Sequence, residues 1–188
     1  MVNDQDRKKL ATDDPDVRLG ELVLYIARQC EQDPGFGAVE LNKLLFNADF
    51  AAYVEFGKPI SRQEYFALDF GPAPRRLLPV LEQLKQDQAV AVRPGDYFGY
   101  TQQRTFALRD ANLDLFSSQE IALVDRLIRE CWEQNATEMS EASHGFIGWK
   151  VARKGEAIPY NVALVCTREL TKTEQEVARK LADELPAA

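Results

Sequence analysis

Residues 38–57 read Ala-Val-Glu-Leu-Asn-Lys-Leu-Leu-Phe-Asn-Ala-Asp-Phe-Ala-Ala-Tyr-Val-Glu-Phe-Gly. Leu41, Leu44, Leu45, Ala48 and Ala52 recur at spacings of three and four, the period of one face of an α-helix. Gly57 suits the left-handed residue that closes a helix. The stretch therefore predicts a helix over about 38–56. Asp49 is out of character here, set between Ala48 and Phe50. It lies either on an exposed edge of the helix or buried with hydrogen-bond partners, and a buried carboxylate would be a functional candidate.

Upstream, Leu19, Leu22, Val23, Ile26, Ala27 and Cys30 form a second apolar stripe, predicting a helix over about 19–32 that Asp33-Pro34-Gly35 stops. Residues 1–18 mix five Asp with four basic residues and lack periodicity, so they read as a mobile tail. Downstream, Lys58-Pro59 turns the chain and the aromatic run 65–70 reads as a strand. Gly71-Pro72-Ala73-Pro74 is a break before a helix of about 75–87, with Pro79 placed in its first turn. Segments 89–92, 98–100 and 105–108 read as short strands, with turn chemistry at Arg93-Pro94-Gly95-Asp96.

Ser117-x-x-Glu120 is a capping box opening a helix of about 118–134, with Ile121, Val124, Leu127, Ile128, Cys131 and Trp132 on one stripe. A shorter helix follows over about 137–144. Residues 157–165 read as extended, and Thr171-x-x-Glu174 opens a terminal helix reaching about Glu184. The fold class is α+β and mostly helical: a single compact domain with a helical core and a small antiparallel β element in the middle. The expected division is a tail over 1–18, a domain over 19–168 and a C-terminal helix within 169–188.

The 188 residues carry 23 Lys and Arg against 30 Asp and Glu, a net charge of −7. A chain of this size buries roughly 70% of its unfolded surface and needs no disulfide or metal for stability. The negative balance argues against strong nucleic-acid binding, which depends on Lys and Arg facing phosphates. No apolar run approaches the ~18–20 residues that cross a bilayer, and the polar start lacks a secretory apolar region. Three cysteines without a C-x-x-C point to a reducing cytoplasm.

Catalytic motifs are missing. Gly35-Phe36-Gly37 begins like a dinucleotide fingerprint, but Glu40 stands in place of the third glycine. Cys30, Cys131, Cys166 and the lone His144 are spaced too widely for a structural zinc site; the cysteines read as core packing, and His144 as ending a short helix where it satisfies last-turn carbonyls. No cofactor is called for. Ser143 and His144 are adjacent, a poor arrangement for a nucleophile and its base. What remains is an interaction surface. Arg75-Arg76 and Lys150-x-x-Arg153-Lys154 are basic clusters on an acidic chain, either solvated faces or readers of an acidic partner, and Phe146, Trp149 and Tyr160, outside the clear helices, read either as interface anchors or as core.

Leu41–Phe50 is similar to the "KLLYFADF" helix of the Panacea-domain family, the SocA-like antitoxins found among phage-associated proteins. Gly57-Lys58-Pro59-Ile60-Ser61 resembles that family's "G+PITG" turn, and Phe70-Gly71-Pro72-Ala73-Pro74 its "YGPVP". Between these two stands Glu64-Tyr65-Phe66-Ala67-Leu68. Met139–His144 with Trp149 resembles "LSHxxxxW", and Gly155–Tyr160 resembles "GxxIPY". The blocks fall in order across about 20–165. Departures are Asn47 for an aromatic, Ser61-Arg62 for Thr-Gly, and Ala73 for valine.

The resemblance implies a non-enzymatic antitoxin that binds and neutralises a cognate toxin encoded nearby. His144, Phe146, Trp149 and Tyr160, with Arg75 and Arg76, are the expected partner-binding residues. Two other readings stand beside it. One is an adaptor that delivers a partner to a cellular protease through its tail. The other is an enzyme, which would require Asp49, His144 or Tyr160 to converge in a cleft.

Overall fold

The computed structural model describes residues 13–69, 71–97, 99–132 and 151–165. Helix α1 spans Pro15–Gln29. Asp14 caps it by accepting the Asp16 N–H at 2.9 Å, and Pro15 occupies the first helical position, where its missing donor costs nothing. Residues 15–18, expected to belong to a mobile tail, are therefore helical. Cap chemistry begins the helix before the apolar stripe does.

Helix α2 spans Ala38–Phe56 and ends on Gly57, whose φ of 75° gives the left-handed close. It is apolar on two faces. Leu41, Leu44, Leu45, Ala48 and Ala52 join the main core with Leu22 and Ile26 of α1. Phe46 and Phe50 face a second, aromatic cluster. A helix buried on both sides becomes the axis about which the rest packs.

Strand β1, Tyr65–Leu68, pairs antiparallel with β2, Gly71–Pro74, in the register Leu68↔Gly71 through Tyr65↔Pro74. The Gly-Pro-Ala-Pro segment expected as a break is thus an edge strand. Its prolines stand at alternate positions, so the lost donors fall on one side, and past the strand the Arg75 N–H donates to the Glu64 carbonyl at 2.9 Å. Helix α3, Leu77–Gln86, carries Pro79 in its first turn as expected.

The next expected turn is corrected. Arg93-Pro94-Gly95-Asp96 lies within β3, Val90–Tyr97, which pairs along its length with β4, Tyr100–Ala107. The reversal falls instead between Tyr97 and Tyr100, where Gly99 adopts φ 82°. A two-stranded ribbon tolerates Pro94 because each strand has an edge without a ladder partner.

Helix α4, Ser118–Trp132, follows a 3-10 turn at Leu113–Leu115. The capping box forms as read: Glu120 N–H donates to Ser117 Oγ at 3.2 Å, and Ser117 N–H donates to Glu120 Oε2 at 2.7 Å. Strand β5, Ala157–Ile158, adds to the free side of β1, giving the order β2-β1-β5. Residues 160–164 form a 3-10 turn rather than extended chain, because Tyr160 folds back onto α2. The helices expected at 137–144 and 171–184 lie outside the described residues.

Arg18 fastens three of these elements together and is only 3% exposed. Its Nε donates to the Ile60 carbonyl at 2.6 Å, and its Nη1 donates to the Leu115 carbonyl. Its Nη2 meets Glu120 Oε1 at 3.1 Å. The guanidinium also lies 4.9 Å from the centre of the Phe116 ring. One side chain thus joins α1, the turn after α2 and the start of α4. Arg18→Met should cost about 3–5 kcal/mol in urea denaturation, because it strands the buried Glu120 charge. Adding Glu120→Gln, which keeps the cap, should recover part of that loss.

Candidate functional site

Asp49 rises from the middle of α2 and is 0% exposed. Its position places it between the two apolar faces, where it meets the chain that leaves α2. Ser61 N–H donates to Oδ1 at 2.7 Å. The Ser61 hydroxyl donates to Oδ2, and the Tyr65 hydroxyl donates to the same oxygen at 2.8 Å. Burial raises the Asp49 pKa to about 6, although Ser61 and Tyr65 pull it back down. Burial also raises the Tyr65 hydroxyl well above its ordinary value, so it remains a donor.

The turn held by Asp49 passes the connection outward. Gln63 N–H donates to Ser61 Oγ at 3.3 Å, and its Nε2 donates to Asp16 Oδ1 at 3.1 Å. Asp16 in turn takes Arg76 Nη2 at 2.8 Å and Nε at 3.0 Å on its other oxygen. The Arg76 hydrogen bonds hold the Asp16 carboxyl below its usual range. A continuous line of polar contacts thus runs from a buried carboxylate to an exposed arginine.

Tyr160 closes the other side. Its hydroxyl donates to the Gln63 carbonyl at 2.6 Å. Its ring sits 4.7 Å from Phe50 and 5.5 Å from Tyr53, centre to centre. Within the turn, Arg62 adopts φ 61°. The left-handed conformation that glycine would take freely is kept by a residue with a Cβ. Arg62 also pairs with Asp13 at 2.6 Å.

This arrangement positions a loop and leaves no room for a substrate at Asp49, whose oxygens are taken by protein donors where water does not reach. Asp49 and Tyr160 both serve the same turn; His144 lies outside the described residues. Among the described residues, no three His, Cys, Asp or Glu side chains gather as a metal site. Cys30 is buried and Cys131 half-buried, with burial pushing their thiols up to about 12 and about 11. Cys166 lies outside the described residues.

Of the expected partner-binding residues, Arg75 and Arg76 stand exposed at the turn from β2 into α3. Arg75 lies over the Phe66 ring at 5.3 Å and pairs with Glu64 at 3.6 Å. Tyr160 is half-buried in the aromatic cluster. Phe146, Trp149 and Lys150 lie outside the described residues. Lys154 pairs with Asp69 at 2.6 Å on the surface. Sequence reasoning missed Arg18, Asp16, Ser61 and Gln63. A usable signal was present for Ser61, a hydroxyl within the Gly57–Ser61 stretch that carries the resemblance.

A family model described as "Antitoxin SocA-like, Panacea domain" matches residues 41–150. No curated protein and no solved structure matches the chain.

Asp49→Ala should cost about 3 kcal/mol or more, because it strands the Ser61 N–H and the Tyr65 hydroxyl. Asp49→Asn gives the pH dependence. The folded pKa of about 6 lies above the ordinary 3.8, so the folded state binds the extra proton between those values. This contribution is complete below pH 3.8 and is lost as pH rises through 6. The stability advantage of wild type over Asp49→Asn, read by urea titration, should therefore shrink from pH 4 to 6 and stay flat above. Arg62→Gly should be neutral or up to about 1 kcal/mol stabilising despite the lost ion pair, since left-handed backbone strains a Cβ-bearing residue.

Proposed function

The chain belongs to the SocA-like antitoxin family, and on that premise we propose that it neutralises a cognate toxin, encoded nearby, by direct protein–protein binding in the cytoplasm. The observation that carries the proposal is the family match over residues 41–150. The structure supports it physically. The strongly shifted carboxylate at Asp49 is engaged by Ser61 and Tyr65 in holding a turn. This suits a domain that acts by the shape and charge of its surface, without catalysis.

The proposed contact surface runs from Arg75 and Arg76 toward the segment between His144 and Tyr160, with Phe146 and Trp149 as anchors. Arg76 is fixed through Asp16 and Gln63 to the turn that Asp49 holds. Its guanidinium is therefore pre-positioned, which lowers the ordering cost of a contact. Arg75 is the freer of the two, its pair with Glu64 being exposed on both sides.

Co-expression with the product of the adjacent gene tests the reading. The neighbour should arrest growth alone, be harmless with this chain, and co-purify with it. A neighbour that is harmless alone and does not co-purify would overturn the proposal. Arg75→Glu should weaken the complex roughly tenfold, mainly through a slower and less salt-sensitive association, while leaving the melting temperature unchanged.

A further inference from the structure

At the far end of α1 from Arg76, a cavity of about 230 Å³ opens where α1, α2, α4 and the β3–β4 ribbon meet. Its wall carries two carboxylates, Asp33 and Glu40, and three aromatic rings, Phe36, Tyr97 and Trp132. We propose that this cavity receives a cationic side chain, arginine or lysine, presented by the protein partner. The proposal rests on the antitoxin reading and adds to it a second contact, chemically opposite to the Arg75–Arg76 end.

Among the described residues, no Lys or Arg stands in the cavity wall. Three buried or half-buried acids elsewhere have cationic partners: Glu120 has Arg18, Glu21 has Arg109, and Asp16 has Arg76, whereas Asp49 and Asp125 are held by hydroxyl donors. Asp33 and Glu40 are half-buried and form no ion pair among the described residues. Lys43 lies within electrostatic reach of Glu40, and Arg104 donates to the backbone carbonyls of Glu31 and Asp33. Both cysteine thiols in the wall stay protonated and add no charge.

Both carboxylates are held in place by the backbone. Asp33 Oδ1 accepts the Gly35 N–H at 2.8 Å, and Glu40 Oε2 accepts the Gly37 N–H at 3.3 Å. The Tyr97 hydroxyl and Asp33 Oδ1 converge on Gly35, lying 3.5 and 3.2 Å from where its Cβ would stand. Phe36 is buried as a floor, and Trp132 is 49% exposed at the mouth. A cation entering here meets aromatic side chains and two carboxylates held by backbone donors. The volume falls below the several hundred Å³ of drug-sized ligand sites, which fits one side chain better than a whole metabolite.

The test uses Asp33→Asn with Glu40→Gln in the full chain. Both replacements keep the acceptors that hold the loop and cap, and both remove charge, so the melting temperature reports whether the fold is kept. If the adjacent gene's product binds wild type, the double variant should bind it on the order of tenfold more weakly or worse, with reduced salt dependence. Unchanged affinity would overturn the pocket and leave the antitoxin reading standing. If the neighbour does not bind wild type, the antitoxin reading fails and acetyl-arginine-amide decides the pocket. A shift of the Trp132 indole resonance that the double variant loses would support it; no shift would overturn it.

Discussion

Asp49 is a charge that folding carries to a depth water does not reach, and it is tolerated there because the chain bends back to supply donors. Two of its hydrogen bonds come from Ser61, four residues after helix α2 closes on Gly57, and a third comes from Tyr65. Losing them would leave a stranded carboxylate, so the turn over 57–65 has essentially one low-energy course. That course sets the start of β1, and through it the register with β2 and β5. It also brings the Ile60 carbonyl to Arg18 and the Gln63 carbonyl to Tyr160. This acid couples the helical core to the small sheet, beside the rings of Phe46 and Phe50 that pack on Tyr65.

The helices were legible because their information is local. Period 3.6 marks α1, α2, α3 and α4, and the Ser117–Glu120 box places the start of α4 to the residue. The β element was legible as a class and misread in detail. Arg93-Pro94-Gly95-Asp96 has turn composition, yet the reversal went beyond Tyr97, because strand pairing over eight positions outweighs local preference. Gly71–Pro74 looked like a break because proline usually ends a strand, but an edge position makes it harmless.

The site was legible only as a suspicion. Asp49 stood out by its apolar neighbours, but nothing local names Ser61 or Tyr65 as its donors, 12 and 16 residues away. Arg18 and Glu120, 102 positions apart, are beyond any pattern in a window. Arg62 is the instructive departure. The resemblance marks it as a departure from the Thr-Gly of the motif, and its backbone is left-handed. The surrounding hydrogen bonds dictate that shape, and the residue complies.

The prolines of β2 carry a further consequence. An outer strand normally offers a row of amide donors that another chain can extend by pairing, a route used both by peptide-recognition domains and by aggregates. Here Pro72 and Pro74 interrupt that row on the open side of the sheet, so a partner arriving there cannot be added as a next strand. Recognition at that edge must be made by side chains. Such recognition discriminates between partners, where backbone pairing would accept almost any extended chain.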